Sequence, residues 1–154
     1  MSRKTLVSDI MTHKVVCAGL NNTLSQVLDF FTKFKIQHLP VTDQNRIVGI
    51  ISVNDLLRFM NTHLKKSESI SQRYLNNEFS LENIMTKNPV TLSPEASIEE
   101  AFELVAPGNF QCILVAKDSI IQGIITNKDL VKYHVKGFNT NHENYTISTP
   151  GYGI

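Results

Sequence analysis

Two aspartates, Asp55 and Asp129, follow the same short pattern of residues and are well suited to hold a polar ligand. Each lies three residues after a hydroxyl residue, Ser52 or Thr126, at the end of an apolar run. An apolar run followed by Ser or Thr and then an acid predicts a buried strand that ends at the N-terminus of a helix. Free backbone N–H groups gather there beside the hydroxyl and the carboxylate. The chemistry expected is capture of an anion together with a sugar diol.

The same spacing also has a purely structural interpretation. Ser52 with Asp55, and Thr126 with Asp129, fit a capping box, in which the hydroxyl and the acid satisfy N–H groups at the start of the helix. The acid would also favour the positive end of the helix. The two interpretations are compatible, so the pattern alone leaves open whether a ligand binds.

The two motifs belong to an internal repeat in which equivalent residues are 74 positions apart. The leading segment Asp9-Ile10-Met11-Thr12 corresponds to Asn83-Ile84-Met85-Thr86 at this offset. A gapless repeat of this length predicts two copies of one folding unit. We therefore divide the chain into a first repeat at 6–62, a linker at 64–79, a second repeat at 80–136 and a tail at 137–154.

Within each repeat the pattern predicts a strand, a helix, two strands and a second helix. Thr23 with Gln26, and Ser97 with Glu100, fit capping boxes at the start of the first helix of each repeat. The expected fold class is α/β (α+β), with tandem βαββα repeats. Because a unit of about 57 residues is marginal alone, the two repeats should pack as a pseudo-twofold pair. The linker is expected to be partly helical.

Composition argues against several classes of protein. Of the 154 residues, 42% are hydrophobic and 19% are charged, which is typical of a globular chain. The net charge of +1 gives no general attraction to nucleic acid or to a membrane surface. No apolar run approaches the roughly 20 residues of a membrane helix. We therefore expect a cytoplasmic protein that binds neither nucleic acid nor membrane.

Metal and catalytic chemistry find little support in the sequence. The five histidines show no metal-ligand spacing, so no metal site is expected. Cys17 and Cys112 each lie in an apolar run without a CxxC pair, which predicts two reduced, unlinked thiols. No nucleophile elbow, P-loop or dinucleotide glycine pattern is present. The sequence therefore favours a binding protein over an enzyme.

The duplicated pattern Gly-apolar-Ile-Ser/Thr-x-x-Asp, preceded in each repeat by Asp/Asn-Ile-Met-Thr, resembles the tandem cystathionine-beta-synthase domain, called the CBS pair or Bateman module. The likeness covers about residues 6–136 and includes the strand Leu39-Pro40-Val41. It implies two βαββα units, often stacked with a second chain as a homodimer. It also implies regulation, since many members bind adenosine-containing ligands in clefts between the two repeats.

By position, the resemblance assigns ligand contacts in both repeats. It gives Asp55 and Asp129 the ribose hydroxyls, and it places Ser52 or Thr126 toward ribose or phosphate. His38, two residues before the proline of the second strand, takes the position of a phosphate contact. The other assigned residues line the base or sugar or face the ligand from the motif: Ile50, Asn54, Ile124 and Lys128, with Val90 and Thr91 for the Asp55 cleft and Val16 and Cys17 for the Asp129 cleft.

The two clefts are predicted to be unequal. The counterpart of His38 is Cys112, which brings no charge. Conversely, Lys128 supplies a cation where the first repeat has Asn54. Because a motif cation strengthens contacts to phosphate, tighter nucleotide binding is expected at Asp129.

The leading hypothesis is a stand-alone regulatory module that senses AMP, ADP, ATP or another adenosyl compound and needs no obligatory cofactor. The ligand would bind two arrangements of the pair with different affinity and so shift the population toward one of them. That shift would change the homodimer or the binding of a regulated partner protein. The alternative is a ligand-free scaffold of the same fold, used for dimerisation or partner docking. An enzyme or a nucleic-acid-binding protein is least favoured.

Overall fold

The secondary structure follows the repeat seen in the sequence. The computed structural model describes residues 4–63 and 71–137. The predicted βαββα order is confirmed twice, as β1-α2-β2-β3-α3 and as β5-α5-β6-β7-α6. In chain order the elements are α1 (Val7–Ile10), β1 (Ala18–Gly19), α2 (Leu24–Phe34), β2 (His38–Asp43), β3 (Arg46–Ser52), α3 (Val53–His63), α4 (Gln72–Glu78), a 3₁₀ turn (Leu81–Asn83), β4 (Thr86–Lys87), β5 (Thr91–Leu92), α5 (Ile98–Val105), β6 (Cys112–Lys117), β7 (Ile120–Thr126) and α6 (Asn127–Gly137).

Two compact units divide the chain at places other than the repeat boundaries. The first, which we name the Asp55 unit, runs from Val16 to Pro89. The second, the Asp129 unit, joins residues 4–15 with residues 90–137. The segment that leads into each repeat therefore belongs to the unit built on the other repeat. We call residues 4–15 the first arm and residues 80–89 the second arm.

In the Asp55 unit, a mixed sheet leads directly into α3. Strand β1 runs parallel to β2, and β2 pairs antiparallel with β3. The second arm adds β4, which pairs antiparallel with β3. These elements share one hydrophobic core with α2 and α3, and its buried members include Ala18, Leu24, Val27, Leu39, Val41, Ile51, Leu56, Phe59, Leu81 and Met85.

In the Asp129 unit, β5 runs parallel to β6, and β6 pairs antiparallel with β7. The first arm packs on this sheet through an antiparallel bridge between Thr12 and Ile124. The hydroxyl of Tyr133 on α6 donates to Thr5 Oγ1 at 2.9 Å and ties the arm to the last helix. The buried core combines the arm with the body of the repeat: Val7, Met11, Ile98, Ala101, Ile113, Val115, Ile125 and Leu130.

The same hairpin turn joins the two longest strands of each unit. Gln44 and Asn45, between β2 and β3, have positive φ angles of 46° and 67°. Asp118 and Ser119, between β6 and β7, repeat this conformation with 51° and 65°. Two consecutive positive φ angles are typical of a type I′ turn, whose twist suits a two-residue hairpin. The turns fix the register of each hairpin and so decide which residue lies opposite the motif hydroxyl.

Each arm passes close over the glycine of a motif. A Cβ atom on Gly49 would lie 2.8 Å from Cγ of Met85 and 3.1 Å from the carbonyl oxygen of the next residue. A Cβ atom on Gly123 would lie 2.8 Å from Cγ of Met11 and 2.9 Å from the equivalent oxygen. Glycine permits this approach because it has no side chain. The Ile-Met-Thr segment of each arm thus packs directly against a motif glycine.

The helix starts agree with the capping signals. Thr23 Oγ1 accepts from the N–H of Gln26, and Ser97 Oγ accepts from the N–H of Glu100, each at 3.3 Å. Both predicted capping boxes are therefore confirmed. Helix α4, capped by Ser71, confirms that the linker is partly helical. The start of the linker, at 64–70, and the predicted tail beyond residue 137 lie outside the described residues.

Candidate functional site

The Asp55 corner consists of Ser52, the last residue of β3, and Asp55 in the first turn of α3. Asp55 Oδ2 accepts hydrogen bonds from the backbone N–H and the side-chain hydroxyl of Ser52, each at 2.8 Å. Ser52 Oγ accepts in turn from the N–H of Asp55 at 3.1 Å. The N–H of Val53 donates to the Gln37 carbonyl oxygen at 3.0 Å. The strand therefore passes into the helix through a closed set of hydrogen bonds.

The Asp129 corner repeats this arrangement at the junction of β7 and α6. Asp129 Oδ2 accepts from the N–H of Thr126 at 2.9 Å and from its hydroxyl at 3.0 Å. The N–H of Asn127 donates to the Gln111 carbonyl oxygen at 3.1 Å. The capping box is confirmed in the Asp55 corner, where the hydroxyl and the acid each accept an N–H. In the Asp129 corner the acid accepts from the hydroxyl residue three positions before it, which is the acid's half of the box.

The capping bonds change what a corner can offer an anion. The sequence predicts free N–H groups at the helix start, but the N–H groups of Ser52, Val53 and Asp55 all have partners within the protein. With these donors engaged, recognition of a phosphate depends more on side chains. The second oxygen of Asp55, Oδ1, lies outside the capping bonds and 4.0 Å from Nη1 of Arg58. An ionised carboxylate only accepts hydrogen bonds, so Oδ1 suits the hydroxyls of a sugar.

His38 lies beside the Asp55 corner. The register of β2 and β3 places it opposite Ser52, and its side chain is half-buried. Burial lowers the pKa of His38 below its usual 6.5, and the Asp55 carboxylate opposes this by raising it. The imidazole is therefore mostly neutral at pH 7, in a place where an anionic ligand would favour its charged form.

Cys112 holds the equivalent place beside the Asp129 corner, opposite Thr126. Burial, with a smaller contribution from the Asp129 carboxylate, raises the pKa of Cys112 to about 12. Burial also raises the pKa of Cys17, which lies just before β1. Neither cysteine is in a disulfide, and burial keeps both thiols protonated at neutral pH. Neither brings a charge to its surroundings.

Four further motif residues occupy equivalent places in the two corners. Ile50 on β3 and Ile124 on β7 are half-buried, each two residues before the motif hydroxyl. Asn54 and Lys128 are exposed in the first turns of α3 and α6. The structure thus brings each motif isoleucine to the strand that carries the corner. A ligand contact by any of the four stays a prediction.

The first strand of each repeat is shorter than the sequence predicts. Val16 and Cys17 lie just before β1 and belong to the Asp55 unit. Val90 lies just before β5, which Thr91 begins, and both belong to the Asp129 unit. Pairing with the neighbouring strand extends over only two residues in each case, which sets the strand ends. The assignment of these four residues to the opposite corner stays a prediction.

Sequence reasoning missed the residues that support the corners from outside the motif. Met11 and Met85 are buried and lie over Gly123 and Gly49, on the strands that end in the corners. The signal was present, since the Ile-Met-Thr segment and the motif glycine recur at the same offset. Periodicity alone did not indicate that each arm belongs with the body of the other repeat.

Two searches for other kinds of site gave negative results. Across 4–63 and 71–137, no three His, Cys, Asp or Glu side chains are grouped so that they could hold a metal ion. Among the helices of those same ranges, none has the length and apolar character needed to cross a membrane. The two corners are therefore the strongest candidate sites in the described part of the chain.

Comparison with known proteins identifies the family. The CBS domain model matches residues 7–62 and 81–136. The uncharacterized protein MJ0188 of Methanocaldococcus jannaschii is 25% identical over 133 residues, which cover 84% of this chain and 44% of that protein. The chain spans less than half the length of the first curated relatives it matches.

Two solved structures share the fold. CBSX2 in complex with AMP is 23% identical, with a TM-score of 0.72, and the match covers 87% of this chain and 98% of that one. The CBS domain pair of protein MJ0100, in complex with 5′-methylthioadenosine and S-adenosyl-L-methionine, is 24% identical with a TM-score of 0.72, over 88% and 99%. Because the family model matches both repeats nearly end to end, this chain belongs to the CBS domain family and contains two CBS domains.

Proposed function

We propose that this chain is a regulatory ligand-sensing module that binds an adenosine-containing nucleotide through Asp55 and Asp129. The decisive observation is the state of the two carboxylates. Oδ2 of each is held by the backbone and hydroxyl of the residue three positions before it, so the orientation of the carboxylate is fixed. Oδ1 is left to accept from the hydroxyls of a ribose, and a carboxylate fixed in advance loses little entropy on binding.

The proposed class of ligand follows from the neighbouring structures rather than from the corners alone. CBSX2 binds AMP, and the CBS pair of MJ0100 binds 5′-methylthioadenosine and S-adenosyl-L-methionine. These ligands share an adenosine and differ at the 5′ position. AMP, ADP, ATP or another adenosyl compound is accordingly the proposed ligand of this chain.

A thermal-shift experiment tests the proposal most directly. The chain is heated with AMP, ADP, ATP, NAD(H) or S-adenosylmethionine, with guanosine and cytidine nucleotides as controls. A ligand present at about 100 times its Kd adds roughly 2.7 kcal/mol to the free energy of unfolding. Stabilisation by at least one adenosyl compound, and not by the controls, is expected. No shift with any adenosyl compound would favour the scaffold function.

Calorimetry on variants separates ligand binding from helix capping. Asp55→Ala and Asp129→Ala should each reduce nucleotide affinity about tenfold or more, because a charged hydrogen bond to the sugar is lost. Glu100→Ala is the matched control, since Glu100 Oε2 accepts from the N–H of Ser97 at 2.6 Å in an equivalent capping box outside the corners. An equal loss of affinity in Glu100→Ala would show that the aspartates act only through stability.

A second candidate function, a dimerisation scaffold, is supported by apolar side chains on the two motif helices. Leu57 on α3 is 59% exposed, and its repeat counterpart on α6, Val131, is 60% exposed. Met60 and Val135 extend the two apolar surfaces. Burying such side chains contributes about 25 cal/mol per Å², which favours association of two chains through these helices.

The proposed homodimer can exist with or without a ligand. Light scattering at micromolar concentration should give twice the monomer mass, and Leu57→Glu with Val131→Glu should give a monomer. A monomeric mass for the unmodified chain would contradict the dimer. Arg58→Glu, which changes a charge on the same helix without altering an apolar side chain, is the control.

We also propose that the chain regulates a partner protein in the cytoplasm and catalyses no reaction itself. The protonated thiols of Cys17 and Cys112 suit a reducing compartment and offer no nucleophile at neutral pH. Affinity capture with and without the identified nucleotide would test this, because a regulated partner should be retained differently in the two conditions. Turnover of the nucleotide by the purified chain would contradict it.

A further inference from the structure

The two corners differ in the side chain that lies opposite the motif hydroxyl. His38 is the register partner of Ser52, and Cys112 is the register partner of Thr126. Residues directly opposite in an antiparallel pair have neighbouring side chains on the same face of the sheet. Both hairpins have a register shift at equivalent positions, so the backbone reaches the two corners in the same way. The difference between the corners is therefore one of side-chain chemistry.

We propose, resting on the proposed function, that His38 makes phosphate binding at the Asp55 corner proton-coupled. This corner takes up a proton with a nucleotide that carries a 5′-phosphate dianion, and it binds such a nucleotide more tightly as the pH falls. The Asp129 corner, with Cys112 in the same place, binds without proton uptake.

The need for a proton follows from the hydrogen bonds of the corner. A phosphate dianion beside the Asp55 carboxylate is repelled unless donors or a cation offset the repulsion. Three N–H groups at the start of α3, those of Ser52, Val53 and Asp55, already have partners, so the backbone supplies less than an uncapped helix start would. Arg58 approaches Asp55 Oδ1 only to 4.0 Å and its side chain is 78% exposed, so its charge is largely screened by water. A proton taken from solvent onto the imidazole provides the missing cation.

In the described part of the chain, charged groups lie on several segments that flank His38. On α3 they are Asp55 and, one turn later, Arg58. On the hairpin, the oppositely charged pair Asp43 and Arg46 lies at the far end of β2 and β3.

Lys35, the exposed C-cap residue of α2, lies three positions before His38, and two more groups lie on flanking segments. Before β1, Cys17 is a protonated thiol whose pKa burial raises. On β4, Lys87 pairs with Gly49 rather than with the residues at the corner. Asp55 is the group that acts on the pKa of His38, and it acts upward.

The direction of the pH dependence follows from linkage. Without ligand, burial holds the pKa of His38 below 6.5, so the imidazole is neutral at pH 8 and mostly neutral at pH 7. A bound dianion raises that pKa, so the complex binds more protons than the free protein. Affinity therefore rises as the pH falls through the pKa of the complex. The gain ends where the phosphate itself takes up a proton, near its second pKa of about 6.

The Asp129 corner lacks this response because of its thiol. The pKa of Cys112 is raised to about 12, and a thiol carries no positive charge in either state. The cation of this corner is the exposed Lys128 rather than an imidazole, and imidazole is the side chain whose charge ordinarily changes between pH 5 and pH 8. Equivalent positions in the two repeats thus serve as internal controls for one another.

Titration calorimetry of Asp129→Ala tests the proposal, since it isolates the Asp55 corner. AMP is titrated at pH 8 and at pH 6.5, in two buffers with different ionisation enthalpies, which measures the protons taken up. One proton changes affinity at most tenfold per pH unit, so we expect about three- to tenfold tighter AMP binding at pH 6.5. The ligand 5′-methylthioadenosine, whose 5′ group is uncharged, should bind with no pH dependence.

Replacing His38 by cysteine, and Cys112 by histidine, gives a matched pair of variants at equivalent register positions. His38→Cys in the same background should abolish the proton uptake with AMP and leave the affinity for 5′-methylthioadenosine unchanged. Cys112→His, in an Asp55→Ala background, should create proton uptake at the Asp129 corner. Since each variant carries the residue found at the equivalent register position, both should fold. The contribution of the AMP phosphate itself cancels between each variant and its parent.

The possible outcomes separate this inference from the proposed function. AMP binding with proton uptake that disappears in His38→Cys supports it. AMP binding whose proton uptake is the same in His38→Cys overturns it and leaves the proposed function intact. Should His38→Cys not fold, NMR titration of the His38 ring decides, because AMP must raise its pKa. No binding of any adenosyl compound at either pH overturns both.

Discussion

The Asp55 and Asp129 corners have the same backbone arrangement but differ in the charge of their side chains. In both, Oδ2 of the motif acid accepts from the N–H of the motif hydroxyl residue, and the hairpin places one residue opposite that hydroxyl residue. That residue is His38 in one corner and Cys112 in the other. The comparison teaches that the repeated motif specifies where groups lie, while single positions around it decide which ligand groups are favoured.

The largest expected effect comes from the contact between arm and glycine, and it tests whether the two units depend equally on their arms. Gly123→Ala and Gly49→Ala should both reduce the free energy of unfolding, by about 1–3 kcal/mol, because overpacking forces the neighbours to move. Gly123→Ala should reduce the free energy of unfolding more than Gly49→Ala. Its Cβ would lie 2.9 Å from a backbone oxygen, whereas the Cβ at position 49 would lie 3.1 Å from one. Urea denaturation measures both.

Gly19→Ala is the control for these glycine variants. A Cβ atom there would lie 3.6 Å from Asn22 Oδ1, an ordinary contact. Its stability should change by less than about 0.5 kcal/mol. Similar losses in all three variants would mean that the arms are not responsible.

The second prediction compares nucleotide affinity at the two corners. At pH 8, where His38 is neutral, Asp129→Ala should lose more AMP affinity than Asp55→Ala, because the motif itself carries a cation, Lys128, where the Asp55 motif has Asn54. We expect about a tenfold difference, or 1.4 kcal/mol. Calorimetry on the two variants measures it. Equal losses of AMP affinity, or a larger loss in Asp55→Ala, would contradict the predicted difference between the corners.

A third prediction compares the caps of α2 and α5, the first full helices of the two units. Loss of an N-cap costs about 0.5–2 kcal/mol of stability. Ser97→Ala should lie near the upper end, because Ser97 is 3% exposed and its hydroxyl both donates to Glu100 and accepts from it. Thr23→Ala should cost less, and Ser97→Thr should be nearly neutral. Thermal unfolding that ranks Thr23→Ala as the more damaging change would contradict this order.

The smallest expected effect is the pH dependence of stability without ligand. Because burial lowers the pKa of His38 in the folded chain, the unfolded chain binds more protons as the pH falls through about 6.5. The stability contributed by the neutral ring is present above that pH and is lost below it. His38→Gln should therefore reduce the change in urea midpoint between pH 7.5 and pH 5.5. Cys112→Ser, at the equivalent position, should leave that change unaltered.

The sequence predicted the fold well because most of its signals are local. The capping boxes at Thr23 and Ser97 mark helix starts through residues three positions apart, and the hydroxyl-acid motif does the same at Asp55 and Asp129. Local spacing was less reliable for the first strands, since their two-residue pairings depend on the distant strands β2 and β6.

The arrangement of the arms and the state of the backbone donors could not be predicted in the same way. Which repeat an arm packs on depends on packing between residues far apart in sequence, such as Met11 over Gly123. The partner of the Val53 N–H is a carbonyl oxygen on the segment before β2, which no helix signal reveals. The half-burial of His38 likewise follows from the register of the hairpin, which the turn sets.

The division of the chain into arms and bodies has a consequence for the order of folding. The Asp55 unit is continuous from Val16 to Pro89, so it can close soon after those residues leave the ribosome. The Asp129 unit must join segments as far apart as Thr5 and Tyr133, whose side chains bond across 128 residues of chain. The entropy lost in closing so long a loop is offset only once Tyr133 has been synthesised and its unit can pack. Until then the apolar face of the first arm has no partner in its own unit, and a nascent chain halted before β7 presents it for capture by a chaperone.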